Sequence, residues 1–236
     1  MIGRRPQRLA PTPEQTARAM NILALNSGSS SFKFGLYRVD AAGVQTLVSE
    51  TVAGAAHADV IACVSRYLGG IPVLADIGVW KHLFRGDAPS DNQLFHCDWA
   101  DTSQVKVFVY STPVDMPGGP LALVRADASQ RVRDRLGYRF KSRVPDATME
   151  AVAGKDATDW MVAEPGTVVF ADTSRCFHYG NRVEKDQPAR VLTQFQFFSP
   201  AAFALPLDLA SSLPFRSLTN NSLSRAQRLL LGATLL

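Results

Sequence analysis

The chain lacks most of the features that would assign a protein to a class at a glance. It has three cysteines, Cys63, Cys97 and Cys176, at irregular spacing in 236 residues. An odd, unpatterned set argues against a disulfide framework and fits a reducing compartment, so a cytoplasmic location is expected. No apolar run approaches the length that crosses a bilayer, and no membrane partner is expected. A net charge of +4 from scattered arginines, with no basic run interleaved with aromatics, speaks against nucleic acid. There is no internal repeat. The opening "MIGRRPQRLAPTPEQTARAM" is basic and proline-broken without the apolar centre of a signal peptide. Residues 1–19 therefore read as a disordered tail. Histidine is scarce too, at four residues.

What is present describes an ordinary globular protein, with 46% hydrophobic and 19% charged residues and enough chain for one good core. Residues Asn21–Val39 read as strand, Gly/Ser turn, strand. The stretch from Asp40 to Asp59 turns small and polar and marks a boundary, and Val60–Leu68 reads as a short helix broken by "GGIP". From Leu74 onward, short strands alternate with Gly/Pro turns. In "QVKVFVY", Val105, Val107 and Val109 share one face while Lys106, Phe108 and Tyr110 share the other. Ser129–Leu136 reads as a helical insertion capped by Ser129, and "EPGTVVFAD" and "RVLTQFQFF" as later strands. The predicted fold is mainly β, a barrel or jelly roll with flanking helices. Residues 20–58 would form a hairpin segment and linker, 59–206 the barrel, and 207–236 a helical tail around "SRAQRLLLG" packed outside it.

The scarce histidines carry the chemistry. In "QLFHCDW", His96 and Asp98 are two apart, so on a strand both point to one side while Cys97 points away. A buried charge needs a partner, and a metal ion is one. His178, at the end of "FADTSRCFHY", is the candidate third ligand. Two histidines and a carboxylate are the facial triad of non-haem Fe(II) oxygenases, which leaves positions for cosubstrate and oxygen. Twelve residues later comes Arg190, and a hairpin closed by "YGNRVEKDQP" would bring it beside His178 to grip a carboxylate in a two-pronged contact. Arg182 competes for that role, but Arg190 starts a strand and points inward more predictably. Lys106 would assist the same carboxylate or sit solvated at an edge. Tyr110, Phe177, Tyr179 and Trp99 are either pocket lining or plain core.

This pattern, HxD followed by a distant His and then Arg, resembles the Fe(II)/2-oxoglutarate dioxygenases, and most closely the phytanoyl-CoA dioxygenase family. "EPGTVVFADTSRCFHYGNR" and "VDMPGGPLALV" are similar to that family's metal-histidine segment and "NGPL"-type turn. The resemblance covers roughly Tyr67 to Pro200. It implies a double-stranded β-helix (jelly roll, cupin-like), here shortened and incomplete on its N-terminal side. It also implies Fe(II) held by His96, Asp98 and His178, and 2-oxoglutarate held by Arg190 with Lys106 and Phe108 nearby. The activity would be O2-dependent hydroxylation of a small organic substrate with release of succinate and CO2. The chain departs from the family in reading "RADASQ" where a "GSH"-like end is usual, and in carrying Phe108 where Trp is commoner.

A second resemblance, over Met20 to Val48, is to the N-terminal hairpin of acetate kinase. "NSGSSSFK" matches its phosphate-loop segment, which implies phosphate contacts from Asn26, Ser29, Ser31 and Lys33. A serine-rich turn offers amides and hydroxyls to phosphate oxygens. The chain is too short for the two lobes of such a kinase. The remaining alternatives are an inactive β-barrel binding protein and a fused or mis-joined gene product.

Overall fold

The computed structural model describes residues 54–86, 88–205 and 213–233, and the backbone of three strands nearer the N-terminus. Those strands, β1 (Met20–Gly28), β2 (Ser31–Asp40) and β3 (Gly43–Thr46), form a separate antiparallel sheet in the order β1-β2-β3. Across the β1–β2 hairpin, Asn26 pairs in register with Lys33 and Gly28 with Ser31. Ser29 lies outside the described residues, as do residues 1–19.

Helix α1 (Ala58–Leu68) starts behind His57, whose Nδ1 accepts from Asp59 N, and stops at Gly69, which takes the left-handed φ of 79° that glycine supplies cheaply. Strand β4 (Val73–His82) follows, then β5 (Gln104–Tyr110), β6 (Leu121–Val124), α2 (Ala126–Leu136) and α3 (Asp146–Ala153). Strands β7 (Thr158–Met161), β8 (Val168–Ala171), β9 (His178–Tyr179) and β10 (Arg190–Phe198) and helix α4 (Arg225–Leu230) complete the order.

Two antiparallel sheets form the barrel. One runs β4-β10-β5-β8 and the other β7-β6-β9. Bridges from Phe95 to Val144 and from His96 to His178 add a short segment at the edge of the second sheet. Along the chain, β4 lies in the first sheet, the Phe95–His96 segment in the second, β5 in the first, β6 and β7 in the second. Then β8, β9 and β10 alternate first, second, first. That winding between two facing sheets is a double-stranded β-helix, with helices on its outer surfaces.

Strand alternation sorts the side chains. Val105 and Val107 of β5 and Phe195 and Phe197 of β10 turn outward and bury against Ile61 and Val64 of α1 and Leu230 of α4. Behind the second sheet, Phe95, Cys97, Ala122, Val124, Phe177 and Tyr179 pack against Val132 of α2 and Met149 of α3. Inside the barrel lie Phe108, Tyr110, Val114, Leu121, Ala171 and Leu192.

Two local expectations need correction. Helix α2 begins at Ala126, with Arg125 as its N-cap. Ser129 is fully buried inside it: its hydroxyl donates to Val124 O at 3.0 Å and accepts from Phe177 N at 3.0 Å, so it ties the helix to the second sheet. Strands β9 and β10 also do not pair as a hairpin, since β10 lies between β4 and β5. The connection from Gly180 to Ala189 is long enough to carry the chain from one sheet to the other.

Candidate metal centre

His96, Asp98 and His178 converge. One ligand atom from each lies within 4.8 Å of the others, and the two imidazole centroids are 4.3 Å apart. Both rings are oriented from behind: His96 Nδ1 meets Leu94 O at 2.8 Å and His178 Nδ1 meets Cys176 O at 3.2 Å. A proton on each Nδ1 leaves both Nε2 atoms free, and these lie 3.9 Å from Asp98 Oδ1 and Oδ2 respectively. Burial pushes the His178 pKa down to about 3 and lowers that of His96 as well, so both are neutral donors at ordinary pH. Burial acts to raise the Asp98 carboxyl, but the Lys106 ammonium, the His178 ring and hydrogen bonds more than reverse it, and the group stays ionised.

Lys106 does not join Arg190. Its Nζ sits 2.7 Å from Asp98 Oδ2, which also accepts from Gln104 Nε2 at 2.7 Å. The register shows why: Lys106 pairs with Gln196, six positions along β10 from Arg190, or about 20 Å of strand.

Arg190 is 3% exposed and donates from Nε and Nη2 to His82 Nδ1, at 3.1 and 2.8 Å, and from Nη1 to Gly119 O. Accepting at Nδ1 makes His82 a neutral imidazole. Burial, then the Arg190 charge, pushes its pKa down to about 3. Burial also lowers Arg190 itself to about 10, leaving it cationic. Among the described residues it meets no carboxylate. Tyr110 lies in the same interior, and its buried hydroxyl has no hydrogen-bond partner among the described residues. Arg190 also stands next to the β9 segment, because a Cβ on Gly180 would come within 3.4 Å of its Nη2. Gly119 in the "PGGP" turn is required twice over. Its φ is +70°, and a Cβ there would lie 2.5 Å from the backbone carbon of Arg182.

Arg182, the competitor, is occupied elsewhere. It pairs with Asp146 at 2.6 and 2.8 Å, donates to Gln93 O at 2.7 Å and stacks 3.4 Å over the Tyr179 ring. Phe108 is buried in the barrel interior with Tyr110, whereas Phe177 and Tyr179 belong to the core behind the second sheet. Trp99 is half exposed beneath Lys141 Nζ at 4.3 Å. Three non-glycine residues with left-handed backbone, Asp91, Lys141 and Asn181, sit around the metal-ligand segments. They are held by Arg143, which donates to Asp91 O at 2.9 Å and Lys141 O at 3.1 Å, and by Gln93, which donates to Asn181 O at 2.6 Å. Strain of this kind, about 1–3 kcal/mol each, collects at functional sites.

Sequence reasoning missed Gln104 and His82. Gln104 was within reach, since it shares the inward face of β5 with Lys106 at a spacing of two. His82 carries no sequence signal, because only the β4–β10 register puts it opposite Arg190.

No protein-family model matches the chain, and no curated protein matches it. Several solved structures are similar in chain path. The non-heme alpha-ketoglutarate-dependent carbocyclase SnoK from nogalamycin biosynthesis is similar at 14% identity, with TM-score 0.48 over 64% of this chain and 59% of that one. HygX from Streptomyces hygroscopicus, with nickel and 2-oxoglutarate bound, is similar at 14% identity and TM-score 0.44, over 65% and 69%. EctD from S. alaskensis, with bound Fe, is similar at 14% and 0.46, over 74% and 60%. The chain thus spans about 59% of the length of the carbocyclase.

Proposed function

We propose that this protein is an Fe(II)- and 2-oxoglutarate-dependent oxygenase that hydroxylates a small organic substrate, using O2 and releasing succinate and CO2. The observation that carries the reading is a pairing inside one barrel: a His-Asp-His ligand set, and a buried guanidinium with no carboxylate partner among the described residues. A cation sequestered from water is costly without a counter-charge, so an anionic ligand completes it.

The residues fit iron. The set is two imidazoles with free Nε2 atoms and one ionised carboxylate, the donor combination of non-haem Fe(II) sites. Bound iron would supply oxygen activation and oxidation of a C–H bond. The chain's own residues hold and orient. His96, Asp98 and His178 would hold the ion. Arg190 grips the far carboxylate of the 2-oxoacid in a two-pronged contact, held in pose by His82 and Gly119 O, and the Tyr110 hydroxyl donates beside it. Phe108, Leu121 and Leu192 keep the interior dry, which strengthens these contacts.

The phytanoyl-CoA dioxygenase-like subtype, supported by the HxD, His, Arg order and the "PGGPLALV" turn, and the cytoplasmic location, supported by the three unpatterned cysteines, belong to this proposal as its finer part. The test is Fe(II)-dependent conversion of 2-oxoglutarate to succinate by the purified chain, read by mass spectrometry without any substrate. Succinate that depends on Fe(II) and disappears in His178→Ala supports the reading. Iron binding with no turnover would leave the inactive β-barrel alternative standing instead.

A further inference from the structure

Asp98 Oδ2 already has both of its lone-pair positions filled, by Lys106 Nζ and Gln104 Nε2, each at 2.7 Å. Gln104 is completely buried and locked: its Nε2 also donates to Thr173 Oγ1 at 2.8 Å, and its Oε1 accepts from Gln196 Nε2 at 3.2 Å. The backbone next to the carboxylate is tied to the same place, with Asp98 N donating to Thr173 O at 2.8 Å. The carboxylate therefore cannot rotate without breaking several bonds at once. Oδ1 lies 3.9 Å from His96 Nε2 and Oδ2 lies 3.9 Å from His178 Nε2, so it is the filling of Oδ2 that leaves Oδ1 to meet an ion.

We propose that Lys106 is a positioning residue that sets the strength of the metal centre, by confining Asp98 to a single coordinating oxygen and opposing the metal's charge with its own. The inference rests on the metal-site reading above and adds a role for Lys106 to it. Two consequences follow from the geometry. A carboxylate restricted to one oxygen occupies one coordination position and leaves more of the ion open to ligands. An ammonium on Oδ2 and a divalent ion on Oδ1 stand within a few ångströms of each other, where like charges repel strongly in a buried site. Lys106 also stabilises the ionised carboxylate it shares, which makes Asp98 a less basic, weaker donor. A lysine whose only task was to neutralise Asp98 and hold its rotamer would act in the opposite sense, because its loss would release the ligand and weaken binding.

The test is a Co(II) titration of the metal-free full chain, comparing the wild type with Lys106→Met and Lys106→Arg. The expected result is tighter Co(II) binding by Lys106→Met, by roughly tenfold, as like-charge repulsion beside the ion is relieved. Lys106→Arg, which keeps the charge, should match the wild type. Unchanged or weaker binding by folded Lys106→Met overturns the inference while leaving the metal centre intact. If that variant does not fold, X-ray absorption of the Co(II)-loaded wild type decides: one Asp98 oxygen in the first coordination sphere is expected, and a two-oxygen carboxylate overturns the inference. A wild type that binds no Co(II) removes the metal-site reading itself, and this inference with it.

Discussion

His96 and His178 are bonded to each other through their backbones in both directions. His96 N donates to His178 O at 3.1 Å, and His178 N donates to His96 O at 2.9 Å. This reciprocal pair joins two segments far apart in the chain and sets both imidazoles on the interior side. The two imidazoles are thus set by the barrel's second sheet, while Asp98, two residues past the bridge and outside any strand, is tied by its N–H to Thr173 O at 2.8 Å.

Because the backbone pair survives side-chain truncation, His96→Ala and His178→Ala should fold yet bind Co(II) or Fe(II) roughly a hundredfold or more weaker, beyond the loss seen for outer-shell partners. Circular dichroism and a metal titration check both halves. Lys33→Ala, in the separate N-terminal sheet, should leave metal binding unchanged.

Arg190→Met should raise the KM for 2-oxoglutarate by roughly a hundredfold, as expected when a charged pairing of about 2–3 kcal/mol is lost. Co(II) affinity should stay near the wild-type value. An unchanged KM would remove Arg190 from the cosubstrate site.

Much of this arrangement was legible in the sequence because it follows strand periodicity. The alternation of Val105 and Val107 against Lys106 and Phe108 sorted the two faces of β5, whereas Asp98 comes beside His96 although it lies outside any strand. The fold class followed from short strands between Gly/Pro turns. What the sequence hid is pairing between distant strands. Lys106 faces inward as read, yet which of two anions it meets depends on the β5–β10 register. Arg190 reaches the region of β9 across the barrel, because the chain from Gly180 to Ala189 changes sheet. Ser129 looked like a cap because serine commonly is one, whereas tertiary contacts make it a buried tie between α2 and Phe177.

Ser129→Ala tests that tie. Removing the hydroxyl leaves Phe177 N without its acceptor in a fully buried place and should cost about 1–3 kcal/mol. A denaturant titration reads the loss. A change within error would show that the neighbouring backbone re-forms the bond.

Stability should fall on acidification. His178 and His82 have folded pKa values of about 3, below the ordinary 6.5, so between those limits the unfolded chain binds protons that the folded chain refuses. Stability from these groups is fully present above pH 6.5 and is lost progressively as pH drops toward 3, by up to about 1.4 kcal/mol per pH unit for each group. Urea midpoints of the metal-free chain measured from pH 7.5 to 4.5 check the slope. His82→Gln should flatten it.

The most direct measurement is an anaerobic titration of the purified chain with Fe(II) and 2-oxoglutarate, followed by visible absorption. The ligand set and Arg190 together predict a weak charge-transfer band that needs both components, is absent in His178→Ala and shifts to much higher 2-oxoglutarate concentration in Arg190→Met. No band from the folded wild type at saturating Fe(II) and 2-oxoglutarate would contradict the assignment of this barrel as an oxygenase.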